Sequence, residues 1–203
     1  MRKQYQREWI NEHNLPDDPL SLFGHWFEQA VAHEHEANAV VLATSSQNKP
    51  SARVVLLKEF GNEGFVFYTN YESKKGRQLT DNPNAAMVFY WPTMERQVRI
   101  EGKVERLSRK ESEAYFDSRP DGSKLSAIIS PQSQPIASRS ELEQLAETLL
   151  RSGQALNMPD YWGGYRLIPE SIEFWQGRPN RLHDRIHYSL VALGKWQRMR
   201  LAP

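Results

Sequence analysis

The chain has 203 residues, enough for one sizeable domain, and no break in composition argues for two. Its 26 Lys and Arg against 25 Asp and Glu leave a formal net charge of +1, so no global field draws in nucleic acid or an anionic membrane, and anion recognition has to come from local clusters. Cysteine is absent, which excludes disulfides, thiolate catalysis and cysteine-ligated metals; with no apolar run of spanning length and no signal-peptide pattern, a cytoplasmic protein is expected.

Residues 1–15 are polar and read as a flexible arm, leaving 16–203 as a single domain. "PDDPLSLFGHWFEQAVAHEHEA" reads as a helix with Asp18 as N-cap, Pro19 at N1, and Phe23, Phe27, Ala30 and Val31 on one docking face. His33 and His35, two apart at the helix end, read as a solvated face. Short strands follow in "AVVLAT", "SARVVLLKEF" and "GFVFYT", and the consecutive apolar run Val54 to Leu57 predicts a strand covered on both faces. "SKKGRQLTDNP" predicts a short helix capped by Ser73 and stopped at Asn82-Pro83. "AAMVFYW" and "RQVRIEGKVERL" predict two further strands, the second with Val98, Ile100 and Val104 on one parity and a bend or bulge at Gly102.

"SRKESEAYFDSRP" opens on the capping box Ser108 to Glu111 and closes at Arg119-Pro120. A second box, Ser138 to Glu141, starts a helix with Leu142, Leu145 and Leu149 on one face and Gly153 as its C-cap. "WGGYRLI", "SIEFWQG", "DRIHYSL" and "KWQRMRLAP" return to strands. The expected architecture is mainly β: an antiparallel, barrel-like sheet decorated by four or five helices.

Several clusters could carry chemistry. Arg53 and Lys58 are five apart, so on a regular strand they project to opposite faces and serve different groups, or else both are strand-end charges. Lys74 and Lys75 sit at the start of a helix, where cations oppose the dipole, and that favours an anionic partner. Tyr115 and Arg119 share a helix face, with Ser123 expected to cap the next segment; the trio could bind a second phosphate or be an ordinary helix end. Gln132 and Ser133 lie in a loop between prolines. In "NRLHDR", Arg181, His183 and Arg185 alternate, so a strand would present all three on one face behind Trp175. The two arginines would keep His183 neutral near pH 7, and a charge-protected edge strand is the plainer reading.

Taken in order, "RVVLLK", "FYTNYESKKGRQ", "ERQV", "YFDSRPDGS", "PQS", "IEFWQGRPNRLHDR" and the terminal "RLAP" resemble the pyridoxamine 5′-phosphate oxidase family, with closely similar spacings along the whole chain. The resemblance implies an FMN-binding split β-barrel and a homodimer with FMN at the subunit interface. It also implies oxidation of pyridoxamine or pyridoxine 5′-phosphate to pyridoxal 5′-phosphate, with O2 reduced to H2O2. FMN would be held by Arg53, Val54, Val55, Leu56, Leu57, Lys58, Tyr68, Thr69, Lys74, Lys75, Gln97, Gln132, Ser133, Trp175 and Arg185, its phosphate near Arg53 and Lys75. The substrate would be met by Arg2 and Tyr5 of the arm, by Lys58, Tyr115, Arg119 and Ser123 at its phosphate, and by Arg181 and His183 at the reacting carbon. Lys74 stands where the family often has arginine, which keeps the charge and loses the bidentate geometry. A split-barrel flavin reductase and a non-catalytic flavin or pyridoxal-phosphate carrier are the competing readings.

Overall fold

The computed structural model describes residues 9–203, so Arg2 and Tyr5 lie outside the described residues. The elements in chain order are α1 (Pro19–His33), β1 (Ala39–Ser46), β2 (Lys49–Leu56), β3 (Glu59–Gly61), β4 (Gly64–Asn70), α2 (Lys74–Asp81), β5 (Asn84–Trp91) and β6 (Arg96–Arg106). They continue as α3 (Arg109–Ser118), α4 (Asp121–Ile129), α5 (Arg139–Arg151), β7 (Trp162–Gln176), β8 (Asp184–Ala192) and β9 (Lys195–Arg200).

All nine strands join one antiparallel sheet, ordered β2-β1-β5-β6-β7-β4-β3, with β8 on β7 and β9 on β8. β7 is the hinge of this arrangement. Its first half, Trp162 to Leu167, pairs with β4, while its second half, Ser171 to Gln176, pairs with β8. Between the halves the register with β6 slips, Glu101 facing Ser171 and Gly102 facing Pro169, so Glu170 is the extra residue of a bulge. Gly102 is needed there: a Cβ would stand 2.0 Å from the Ile168 carbonyl oxygen. The strands read as "WGGYRLI" and "SIEFWQG" are therefore one long strand that changes partner.

The barrel interior is aromatic. Phe23 of α1 is fully buried and meets Phe60 and Phe65 edge-on, each at 4.9 Å between ring centroids, with Phe89 at 5.2 Å. Burying such a ring contributes roughly 1.5–3 kcal/mol each. The Asp18 cap is formed, its carboxylate accepting from the Leu20 and Ser21 N–H groups. Leu22 and Trp26 take places in the core beside Phe23 and Ala30, whereas Val31, expected on the docking face, is 60% exposed. The Ser108 capping box is formed with both of its reciprocal bonds. At the second box Ser138 accepts from Glu141 N–H, but the Glu141 carboxylate reaches the Ala137 N–H, and Ser152 takes the C-cap with Gly153 just beyond it.

Two expectations change. Of the arm, residues 9–15 do not behave as a free tail: Ile10 is buried in the core, its N–H donates to Asp184, and Arg200 donates to its carbonyl. The run Val54–Leu57 is not covered on both faces. β2 lies at the end of the sheet order, and Val54 is 63% exposed while Leu57, past the strand, is buried. Val54 pairs with Val41, also exposed, and Val41 pairs with the half-buried Val88 on β5, so an apolar row crosses three strands and is open at its β2 and β1 positions, with Tyr90 exposed beside it.

Candidate active site

At the start of α2, Thr69 near the end of β4 and the helix cap Ser73 come to the same point, and Lys75 in the first turn reaches both. Its ammonium donates to Thr69 Oγ1 at 2.9 Å, Ser73 Oγ at 3.2 Å and Gln132 Oε1 at 2.6 Å. Helix and preceding loop pass closely, since a Cβ at Gly76 would stand 2.0 Å from the Tyr71 carbonyl oxygen. Burial, with Arg53 nearby as second cause, lowers the Lys75 pKa to about 8. Arg53 is held among neutral acceptors: the Leu42 carbonyl, Thr44, Ser51 and Gln78, between 2.7 and 3.1 Å. Burial lowers its pKa too. Among the described residues neither cation has a carboxylate partner, so the charge is set there for something else.

The second cluster is built by α3 and α4. Tyr115 stacks on Tyr68 at 3.8 Å, and Trp162 lies parallel to both, 5.6 Å from Tyr68. Desolvation raises the Tyr68 hydroxyl pKa to about 12, so it stays a neutral donor. Arg119, the C-cap of α3, lies over the Trp162 ring at 4.7 Å, and its Nη1 is buried with no hydrogen-bond partner. Burial lowers the pKa of this guanidinium as well. An unpaired buried donor on a cation costs free energy unless a ligand meets it. Ser123 does not cap: α4 begins at Asp121 after Pro120, which places Ser123 inside its first turn.

Both clusters open on one pocket of about 580 Å³, within the usual range for small-ligand sites. Its lining includes Val54, Val55, Leu56, Lys58, Tyr68, Thr69, Lys75, Tyr115, Arg119, Ser123 and Gln132 among the expected residues. Trp162, Asn70 and the α4 residues Ser126 and Ala127 line it unforeseen. Trp162 opens the strand "WGGYRLI" and Asn70 ends β4, whereas Ser126 and Ala127 are brought there by the unforeseen helix α4. Gln78 was missed too, a buried amide whose Oε1 accepts from both Thr44 and Arg53. Leu57 is core, not lining, and Lys74 faces a separate cleft with Lys49 and Arg77.

The remaining expected residues assemble elsewhere. Gln97, Trp175 and Arg185 are paired in register across β6, β7 and β8. β7 has 15 residues, with Trp162 its first and Trp175 its last but one. At about 3.3 Å per residue that is about 40 Å of strand contour, so this row and the pocket are served by opposite ends of one strand. Ser133, in the left-handed region at φ 72°, follows Gln132 but does not line the pocket.

"NRLHDR" is not one strand face. Pro179–Arg181 forms a single 3-10 turn with Asn180 and Arg181 both at positive φ, 57° and 63°, and β8 starts only at Asp184. Two consecutive non-glycine residues in this region store strain of order 1–3 kcal/mol each, a cost usually tolerated at functional loops. Arg181 is exposed. His183 stacks obliquely on Trp175 at 4.7 Å, and its Nδ1 accepts from the Arg178 N–H at 3.0 Å. Burial first, then Arg181, lowers its pKa, so the neutral ring carries its proton on Nε2. Arg185 takes no part in that shift; it is gripped by Glu173.

Comparisons with known proteins cover most of the chain. Residues 27–151 match the family profile described as pyridoxamine 5′-phosphate oxidase, and residues 162–203 match that of a pyridoxine 5′-phosphate oxidase C-terminal dimerisation region. A pyridoxine/pyridoxamine 5′-phosphate oxidase of Pseudomonas paraeruginosa is 54% identical over 209 residues, covering 100% of this chain and 97% of that one. Among solved structures, PhzG from Burkholderia lata, in complex with tetrahydrophenazine-1-carboxylic acid, superposes with a TM-score of 0.91 at 30% identity, over 99% of this chain and 100% of that one. A pyridoxamine 5′-phosphate oxidase-related, FMN-binding protein from Nostoc punctiforme, at 19% identity and a TM-score of 0.74 over 93% of this chain and all of its own, shares the fold. The chain is thus a member of the pyridoxamine 5′-phosphate oxidase family of enzymes.

Proposed function

We propose that this chain is an FMN-dependent oxidase that converts pyridoxamine or pyridoxine 5′-phosphate to pyridoxal 5′-phosphate, acting as a homodimer with FMN at the subunit interface. The observation that carries the reading is that Lys75, Lys58 and Arg119 line one pocket without a carboxylate partner among the described residues, with Arg53, likewise unpaired with carboxylate, close enough behind Lys75 to lower its pKa. A flavin mononucleotide and a pyridoxyl phosphate together bring two dianions and two flat rings, which that donor set fits. Each charge-assisted hydrogen bond contributes about 1.5–3 kcal/mol, so a few suffice without a global positive field.

In this reading Lys75 and Arg53 hold the cofactor phosphate, Ser73 and Thr69 orient the lysine, and Val54 to Leu56 form the wall beside the flavin ring. Arg119, Tyr115, Ser123 and Lys58 hold the substrate phosphate. Bound FMN supplies the two-electron acceptor that O2 then reoxidises. The balance is alcohol plus O2 giving aldehyde plus H2O2, or amine plus O2 plus water giving aldehyde, ammonia and H2O2. Arg181 covers the substrate ring, and His183 offers its Nε2–H to the substrate's polar groups as a positioning donor.

The 40 Å of strand between Trp162 and Trp175 supports the dimer: one chain cannot bring both ends of its β7 to one flavin. The row Gln97, Trp175, Arg185 of one copy would face the pocket of the other, with the apolar row Val54, Val41 and Val88 packed between them. The test is anaerobic mixing of the flavin-loaded protein with pyridoxine 5′-phosphate, followed by flavin absorbance. Bleaching that reverses on admitting air is expected; binding without bleaching would make the protein a carrier.

A further inference from the structure

The cations of this chain fall into two kinds. Arg53, Lys75 and Arg119 lie among neutral acceptors or aromatic rings. Arg185 instead has its own counter-charge. Its Nε and Nη2 donate to the two oxygens of Glu173, each at 2.9 Å, and its Nη1 donates to the Ala202 carbonyl, also at 2.9 Å. Glu173 sits on β7 two residues before Trp175, on the same sheet face, with a side chain only 7% exposed. A carboxylate so buried persists only when paired. Its other neighbour, Arg99, approaches at 3.4 Å while holding Glu101 at 2.6 Å, so the close, two-pronged partner is Arg185.

We propose that Glu173 is a positioning residue of the active site, which with the Ala202 carbonyl fixes the guanidinium plane of Arg185 and cancels its charge, so that Arg185 serves the neutral flavin ring and not a phosphate. The inference rests on the reading of the site given above. Three of the five N–H groups are spent on the clamp, and two remain, one on each terminal nitrogen. A neutralised, oriented fork of this kind suits a ring carbonyl or ring nitrogen, because a dianion would meet the Glu173 carboxylate behind it. Ordering the long arginine side chain before the ligand arrives also removes a cost from binding. The C-terminal residues thereby join the site, since Leu201 N–H bonds the Arg185 carbonyl and Ala202 bonds its side chain.

The test is a double-mutant cycle on flavin affinity in the apoprotein dimer, read by quenching of flavin fluorescence, with FMN and with riboflavin, which lacks the phosphate. Glu173→Gln is expected to weaken FMN and riboflavin by the same factor, about tenfold for one impaired hydrogen bond. In an Arg185→Ala background it should cost nothing further, within about twofold. Lys75→Met should weaken FMN and spare riboflavin. Glu173→Asp, which keeps the charge and loses the two-pronged reach, runs the same cycle if the glutamine variant does not fold. Additive losses, a loss confined to FMN, or dissociation of the dimer by light scattering would each overturn the proposal. Wild-type protein that binds neither flavin sinks the functional reading itself, and an Arg185→Ala variant with unchanged affinity removes Arg185 from the site; an ineffective Glu173 beside an effective Arg185, like additive losses, refutes the clamp and leaves that reading standing.

Discussion

Lys75 gives the site a pH dependence that can be worked out in advance. Its ammonium is pushed down to about 8 from an ordinary 10.5, by burial first and by Arg53 second. Holding a phosphate requires the charged form, so above pH 8 binding must take up a proton. The charged fraction of the free protein falls from about nine-tenths at pH 7 to about one-tenth at pH 9, and apparent FMN affinity should fall about tenfold over that interval. Stability of the free protein runs the other way. Between pH 8 and 10.5 the unfolded chain holds this proton while the fold releases it, so this group's contribution to stability rises with pH across that window. The assay is fluorescence titration of apoprotein with FMN at fixed ionic strength across about pH 7 to 9. Lys75→Met should bind more weakly and lose this slope. A flat wild-type profile, or an unchanged slope in Lys75→Met, would refute the assignment of Lys75 to the phosphate.

Two further outcomes are expected. Arg119→Ala should raise the KM for phosphorylated substrate about 10- to 150-fold, the equivalent of one charge-assisted contact, while flavin content stays at the wild-type level; loss of flavin instead would mean that the two clusters are not separate phosphate sites. Val41→Glu places a charge in the middle of the apolar row between Val54 and Val88 and should give a monomer by light scattering with little bound FMN; a flavin-loaded dimer would show that the second copy packs elsewhere.

What was legible in the sequence came from local chemistry. Asp18-Pro19, Ser73 and the Ser108 to Glu111 box are signals contained within four residues, and each forms the cap expected of it. Gly102 marked the bulge because the constraint there is steric and local, although the extra residue lies on the neighbouring strand at Glu170. What depends on distant partners was hidden. Alternation at Arg181, His183 and Arg185 has the period of a strand, yet Pro179 starts a 3-10 turn that breaks it. The run Val54–Leu57 looked doubly covered because an apolar strand does not say whether a helix or a second chain covers it. Helix α4 was hidden behind a Pro-Asp-Gly sequence that reads equally well as a turn, and with it went Ser126, Ala127 and their share of the pocket.

The partner change along β7 has a genetic consequence. On the proposed assembly each site takes its Trp162 end from one copy and its Trp175 end from the other, so a defect at one end does not mark both sites of a mixed dimer equally. An Arg119→Ala chain and an Arg185→Ala chain, each impaired by itself, would on co-assembly form mixed dimers in which one site carries both lesions and the other carries none. Random pairing of equal amounts would restore about a quarter of the sites. Two impaired alleles would then complement each other, whereas two alleles damaged at the same end of the strand would not.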